Sequence, residues 1–232
     1  GTRLRPLTDE TPKPIIDVGG KTILEHIISK FKKCGIKDIA LNLHHLPDKI
    51  VRFIESKDFG VRFYFSCEKE ILDTGGAIKR IRDFASGDGI LIHNGDILTE
   101  FDLNEFINYH KKNGNDVTLC VMERDGARKL AFDREMNLTG WLNTEKKLYD
   151  GEVNDKLRYS FTGVHAVSPR IFDFMPVEDR FPVFDFYIKN LASMKIKGYF
   201  VRPDYWFDIG TVEKLQKARN FISGMSEKGG NL

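Results

Sequence analysis

The chain is poor in cysteine, nearly without surplus charge, and free of long apolar runs. Its three cysteines, Cys34, Cys67 and Cys120, lie far apart with no CxxC pair. So sparse and odd a set fits reduced thiols, not a disulfide framework. Lys and Arg number 36 against 34 Asp and Glu, a formal charge of +2. A dedicated nucleic-acid binder needs a clear basic excess to meet phosphates, so nucleic acid is not expected as a partner. No stretch approaches the length that crosses a bilayer, and no apolar h-region opens the chain. The expectation is therefore a cytoplasmic protein that makes no membrane contact. The absence of a GxxxxGK[ST] string sets aside a plain P-loop ATPase. The six histidines show no metal or triad spacing and are read as structural.

What remains is an ordinary globular composition of 232 residues, 41% hydrophobic and 30% charged, enough to bury one substantial core. Thr22-Ile-Leu-Glu25 reads as a capping box, followed by Ile23, Ile27 and Phe31 at helical spacing and a Gly35 stop. Pro47 suits the first turn of a second helix. Strands are expected near 39–43, 61–65, 89–93, 116–122 and 196–201, with helices near 76–84, 103–111 and 212–222. Strands separated by such helices imply right-handed βαβ units and an α/β fold with a mostly parallel sheet. After Gly126 the pattern turns to short strands near 130–132, 138–142 and 158–167, read as a small antiparallel insertion. Helices near 171–175 and 183–194 follow. With no linker in view, one domain is expected over 1–222, with a disordered tail over 223–232.

Chemistry first shows at the start, where Gly1-Thr-Arg-Leu-Arg-Pro-Leu-Thr8 is followed by Thr11-Pro-Lys-Pro14. Bound phosphate needs several amide donors and fixed positive charge, and Arg3 and Lys13 bring the charge. The string resembles the second half of the sugar nucleotidyltransferase signature, GxGTRxxPLT followed by PKP, and the resemblance covers essentially the whole chain. It implies a three-layer α/β/α Rossmann-like nucleotidyltransferase fold. It also implies that Gly1 and Thr2 wrap the nucleotide, that Arg3 stabilises departing pyrophosphate, and that Lys13 contacts the reacting phosphates. That family places an apolar strand and the loop's first glycines ahead of this point. The expectation is thus an N-terminally truncated domain that lacks its first strand.

Four further segments follow from the same resemblance. Leu72-Asp-Thr-Gly-Gly-Ala77 is expected to pass the nucleoside, with Thr74, Gly75 and Gly76 close to base and ribose, and Asn42 facing the base. Asn94-Gly95-Asp96 and Trp206-Phe-Asp208 each end a strand, where open α/β sheets bind ligands. Asp96 and Asp208 are the expected Mg²⁺ ligands, since that ion needs few protein oxygens and takes substrate phosphates. Asp102 is read instead as the start of its own helix. Ser160-Phe-Thr-Gly-Val164 is expected to line a sugar pocket through Thr162 and Gly163, with Glu68 facing the same sugar. Glu145-Lys-Lys147, in a loop, is the only trace of the relatives' Glu-Lys-Pro motif.

The implied activity is transfer of a nucleoside monophosphate from a nucleoside triphosphate to a sugar 1-phosphate, with Mg²⁺ as cofactor and pyrophosphate as leaving group. Asp73 leans the reading toward the N-acetylmuramate-1-phosphate uridylyltransferases. Mannose- or heptose-1-phosphate guanylyltransferases stand as the alternative, as does a non-catalytic nucleotide-sugar-binding regulator. A monomer or small homo-oligomer is expected.

Overall fold

The computed structural model describes residues 2–85, 87 and 89–227, and along them helices and strands alternate much as the periodicity predicts. The first stretch holds α1 (Leu7–Glu10), β1 (Asp17–Val18), β2 (Lys21–Thr22), α2 (Ile23–Lys33), β3 (Asp38–Leu43), α3 (Pro47–Glu55) and β4 (Arg62–Cys67). Next come α4 (Asp73–Arg80), β5 (Ile90–His93), β6 (Ile97–Glu100), α5 (Leu103–Asn113) and β7 (Val117–Met122). The insertion is β8 (Arg128–Phe132), β9 (Leu138–Asn143), β10 (Leu148–Gly151) and β11 (Leu157–Val167). The chain closes with α6 (Val183–Lys189), β12 (Ile196–Phe200), β13 (Tyr205–Asp208) and α7 (Val212–Glu227).

These elements gather into two compact units where the sequence suggests one domain. The first takes Gly1–Lys69, Asn94–Glu100 and Asp204–Leu232, and the second takes Glu70–His93 and Phe101–Pro203. Each is assembled from non-contiguous segments, so no linker composition marks the division.

In the first unit the capping box forms as read. Thr22 Oγ1 accepts from the Glu25 amide at 3.2 Å, and the Glu25 carboxylate accepts from the Thr22 amide at 2.7 Å. Gly35 ends α2 at φ +74°, with its amide on the Lys32 carbonyl and the Ile36 amide on Phe31, a Schellman arrangement. β3 and β4 pair in parallel from Asp38↔Arg62 to Leu43↔Cys67. β6 and β13 pair antiparallel. α7 buries Leu215, Ala218 and Ile222 and runs on to Glu227, so the helix occupies 223–227 where a tail is expected. Its Ile222 side chain packs so near Gly19 that the burial anchors this last stretch. Positions 228–232, like Gly1, lie outside the described residues.

The second unit is built on a seven-stranded sheet in the order β10-β9-β8-β11-β7-β12, with β5 also paired to β11. The sheet is mixed. β7 and β12 run parallel, while the long β11 is antiparallel to β5, β7 and β8. Hairpin connections through the insertion bring β11 in from the opposite direction, which crossover helices would not do. The antiparallel insertion is as expected, with β10 added as its outer strand. The register of β11 against β7 shifts between Phe161 and His165, where Gly163 takes φ +93°. The helix expected over 171–175 is a 3-10 turn at Pro169–Asp173, and the one expected over 183–194 is shorter, with α6 ending at Lys189.

Two histidines sit inside this second unit. His110 on α5 is 5% exposed, with Nδ1 2.8 Å from Thr118 Oγ1, and burial lowers its pKa to about 4. His165 on β11 is 1% exposed, and neither ring nitrogen has a hydrogen-bond partner among the described residues. Burial, with the nearby His110, lowers its pKa to about 3. Both stay neutral in the fold, while the unfolded chain protonates them below about pH 6.5. Their contribution is therefore fully present above pH 6.5 and is lost as pH falls toward 4. Unfolding free energy is expected to drop by about 2 kcal/mol per histidine between pH 7.5 and 5. Denaturant titrations at the two pH values check this, and His165→Phe should show about half the wild-type drop. An equal drop in variant and wild type would remove His165 from the account.

Candidate active site

The opening loop is pinned by apolar and backbone contacts that leave its cations outward. Leu4, at the end of a 3-10 turn that Thr2 opens, is fully buried, and Thr8 in α1 is 3% exposed. His45 Nε2 lies 3.0 Å from the Thr8 carbonyl and ties the loop to the segment ahead of α3. Arg3, within the same 3-10 turn, stays exposed. Lys13 opens a second such turn, with Pro12 ahead of it and Pro14 inside it.

These cations meet the two expected carboxylates within the first unit. Lys13 Nζ lies 3.4 Å from Asp96 Oδ2. Asp96 stands just ahead of β6, and its carbonyl accepts from the Ile209 amide at 2.8 Å. Asp208 ends β13 opposite Ile97. Because the two strands are antiparallel, the last residue of one and the residue preceding the other fall at the same end of the pair. Asp208 Oδ2 is 2.8 Å from Lys214 Nζ on α7. Thr211 Oγ1 accepts from the Lys214 amide at 3.3 Å and so caps the start of α7. A Cβ on Gly210 would stand 3.0 Å from Asp208 Oδ1 and 3.2 Å from Arg3 Nη2. Glycine there leaves the guanidinium and the carboxylate flanking one small space. Arg3, Lys13, Asp96 and Asp208 are thus brought together, and Lys214 and Gly210 join them without having been singled out from the sequence.

Among the described residues no group of three or more His, Cys, Asp or Glu side chains is placed to hold a metal. Asp96 and Asp208 offer two hard oxygen donors, each only partly exposed and each facing a lysine. That set fits Mg²⁺, which completes its shell with water and phosphate oxygens.

The remaining first-unit candidates sit by the carboxyl ends of β3 and β4. Asn42 is exposed and pairs in register with Ser66. Glu68 is 8% exposed, its amide on the Leu43 carbonyl at 2.7 Å and its carbonyl 3.1 Å from His44 Nδ1.

The second unit carries the other candidates, and here the geometry differs from the reading. α4 begins at Asp73, not near Gly76, so Thr74, Gly75 and Gly76 form its first turn. Gly75 and Gly76 are buried beneath residues 179–181: a Cβ on Gly76 would fall 2.0 Å from the Asp179 carbonyl oxygen. Chain packing alone accounts for both glycines. Thr74 remains exposed. Thr162 is fully buried, donates its hydroxyl proton to the Cys120 carbonyl at 2.9 Å and accepts from the Val164 amide at 3.2 Å. That proton is committed to the backbone, and Gly163 beside it is buried as well. Asp102 caps α5 by accepting from the Glu105 amide at 2.9 Å, as read. Glu145 and the two lysines after it form the turn between β9 and β10.

A family model described as nucleotidyl transferase matches residues 1–132, more than half of the chain. The chain belongs to the nucleotidyl transferase family. Its curated relatives within reach of this family member include a probable mannose-1-phosphate guanylyltransferase 1 of Oryza sativa subsp. japonica. That protein is 28% identical over 238 residues, covering 97% of this chain and 61% of the relative. A mannose-1-phosphate guanylyltransferase of Mycobacterium tuberculosis is 28% identical over 235 residues, covering 98% of this chain and 61% of the relative. The chain therefore spans about 61% of the length of the curated relatives it matches. Among solved structures, HddC from Yersinia pseudotuberculosis superposes with a TM-score of 0.78 at 23% identity, covering 95% of this chain and 94% of that one. That likeness shows the nucleotidyl transferase fold in an α/β chain, as expected from the motif string. Among the described residues of this family member, no helix is long and apolar enough to cross a membrane.

Proposed function

We propose that the chain transfers a guanylyl group from GTP to a hexose 1-phosphate, with mannose 1-phosphate the first candidate, and releases pyrophosphate. The observation that carries the chemistry is the grouping of Arg3, Lys13, Asp96 and Asp208 in one unit. The mannose-1-phosphate guanylyltransferases among the relatives support the base and sugar, in place of the uridylyl and muramate choice drawn from Asp73.

In this reading a phosphate oxygen of the sugar 1-phosphate attacks the α-phosphorus of GTP. The bond from that phosphorus to the bridging oxygen of the β-phosphate breaks, and pyrophosphate leaves with the electron pair. The attacking oxygen is already anionic, so no strong general base is needed. The protein's task is to hold two polyanions together and neutralise charge that develops on the leaving side. Arg3 meets the departing pyrophosphate, and Lys13 the reacting phosphates. Asp96 and Asp208 hold Mg²⁺, which when bound screens the phosphate oxygens and orients them. Within the first unit, Gly1, Thr2 and Asn42 are assigned to the nucleotide; within the second, Thr74, Gly75 and Gly76 are assigned to the nucleoside through their backbone. Glu68 is the first unit's residue assigned to the sugar; in the second unit that assignment falls to Gly163, with Thr162 shaping its strand from beneath. A regulator that only binds nucleotide sugars has no use for two carboxylates beside two phosphate-facing cations.

Pyrophosphate release tests the proposal, with Mg²⁺ and GTP, UTP, CTP or dTTP against mannose, heptose, glucose and N-acetylmuramate 1-phosphates. GTP with mannose 1-phosphate is expected to run at least about tenfold faster than any UTP pair, a discrimination of about 1.4 kcal/mol. Release confined to UTP and the muramate sugar would overturn the base and sugar. No release from a folded protein that binds nucleotide would favour the regulator.

A further inference from the structure

Residues 177–181 cross the first turn of α4 as a strap, held by backbone bonds at one end and side chains at the other. The Phe181 amide donates to the Leu72 carbonyl at 3.2 Å, and the Phe181 carbonyl accepts from the Gly75 amide at 3.1 Å. Lys79 Nζ donates to the Val177 carbonyl at 2.7 Å and the Glu178 carbonyl at 3.1 Å. Between these, Arg180 Nε donates to Asp73 Oδ2 at 3.1 Å. The strap lies so near the helix that a Cβ on Gly75 would stand 2.4 Å from the Phe181 ring. Asp73 itself takes φ +58°, a left-handed conformation that most side chains avoid and that Asp tolerates better than most. From that conformation its carboxylate reaches Arg180.

Lys79 Nζ also meets Asp179 Oδ1 at 3.1 Å farther along α4, but among the described residues the charged side-chain link to the first turn itself is the Asp73–Arg180 ion pair. Its side chains are 69% and 38% exposed, so it adds little to global stability. What it governs is local: how often the strap lifts from Thr74–Gly76. We propose that Asp73 and Arg180 are positioning residues, a latch that holds the strap on α4 and so keeps the Thr74–Gly76 backbone set for a nucleoside. The proposal rests on reading Leu72–Ala77 as the nucleoside segment. Neither side chain contacts the reacting atoms in this assignment; both act through the backbone between them.

The test uses Arg180→Ala, Arg180→Lys, Asp73→Gly and the double variant Asp73→Gly/Arg180→Ala. Amide exchange over 72–77 without ligand reads the latch, and the equilibrium Kd for GTP reads its service to the nucleoside. Arg180→Ala is expected to speed exchange there and raise Kd by about three-fold, with Tm unchanged, the scale a largely exposed ion pair supports. Arg180→Lys should recover more than half of the shift. The double variant should bind no worse than Arg180→Ala alone, because the two residues act as one link. Unchanged exchange and Kd in Arg180→Ala, or additive losses in the double variant, would overturn the latch. Faster exchange in Arg180→Ala, beside a wild-type protein that binds no nucleoside triphosphate, would overturn the nucleoside reading of the segment, and with it the role given to the latch.

Discussion

Asp208→Asn is expected to lower pyrophosphate release by at least about a hundred-fold, and Asp96→Asn by a similar factor. Both substitutions keep the shape and hydrogen-bonding reach of the side chain while removing one negative charge. The backbone around them should hold, since the bond from the Ile209 amide to the Asp96 carbonyl and the β6–β13 ladder do not involve the carboxylates. A loss of rate without a loss of fold then speaks for the charge. The lysines sharpen the test. Lys214 stands 2.8 Å from Asp208, and Lys13 stands 3.4 Å from Asp96. A divalent cation on these oxygens has to displace or share them. Lys214→Gln removes one competitor and should lower the Mg²⁺ concentration that gives half the maximal rate, whereas Asp208→Asn should raise it. Turnover of Asp208→Asn at the wild-type rate and Mg²⁺ requirement would end the metal role proposed for this pair.

Much of this site is legible from sequence because its parts are local strings with strong chemical demands. The run from Gly1 to Pro14 carries its cations at fixed spacing, and Asp96 follows the apolar strand expected over 89–93. The capping box at Thr22 and the cap at Asp102 are local too, and both form as read. What escapes is whatever depends on partners far along the chain. Lys214 looks like any exposed helix lysine until α7 places it beside Asp208. β6 is only four residues and mostly buried, with no alternation to announce it. Arg180 meets Asp73 across 107 positions. Thr162 reads as an available hydroxyl, and only the register of β11 against β7 shows its proton spent on Cys120.

The base preference drawn from Asp73 carries little weight for a related reason. Asp73 looks like a choice about the nucleotide, but at φ +58° its position asks chiefly for a residue that tolerates left-handed backbone. Glycine and aspartate both meet that demand, so their exchange at this point says little about which base is bound. The paired glycines after it are likewise required by the strap, whatever their backbone does for a nucleoside.

That last point predicts a large effect on stability that is separate from any ligand. Gly76→Ala should destabilise the protein by about 3 kcal/mol, lowering Tm by roughly 6–12 °C for a chain of this size. The new methyl would lie 2.0 Å from the Asp179 carbonyl oxygen and 2.8 Å from the Leu72 Cβ. The first of these is backbone, with no flexible end that can swing aside. Relief requires the strap to lift, and lifting it strains the bonds that Phe181 makes to Leu72 and Gly75. Gly224→Ala in α7 is the matched contrast: a Cβ there meets nothing within 4 Å. Removing a helical glycine at an open site should stabilise by about 0.5–1 kcal/mol. Thermal melts of the two variants without ligand decide the matter. A Gly76→Ala protein that melts with the wild type would mean that the strap does not rest on α4 in solution, and the glycines would return to the nucleoside as the reason for their presence.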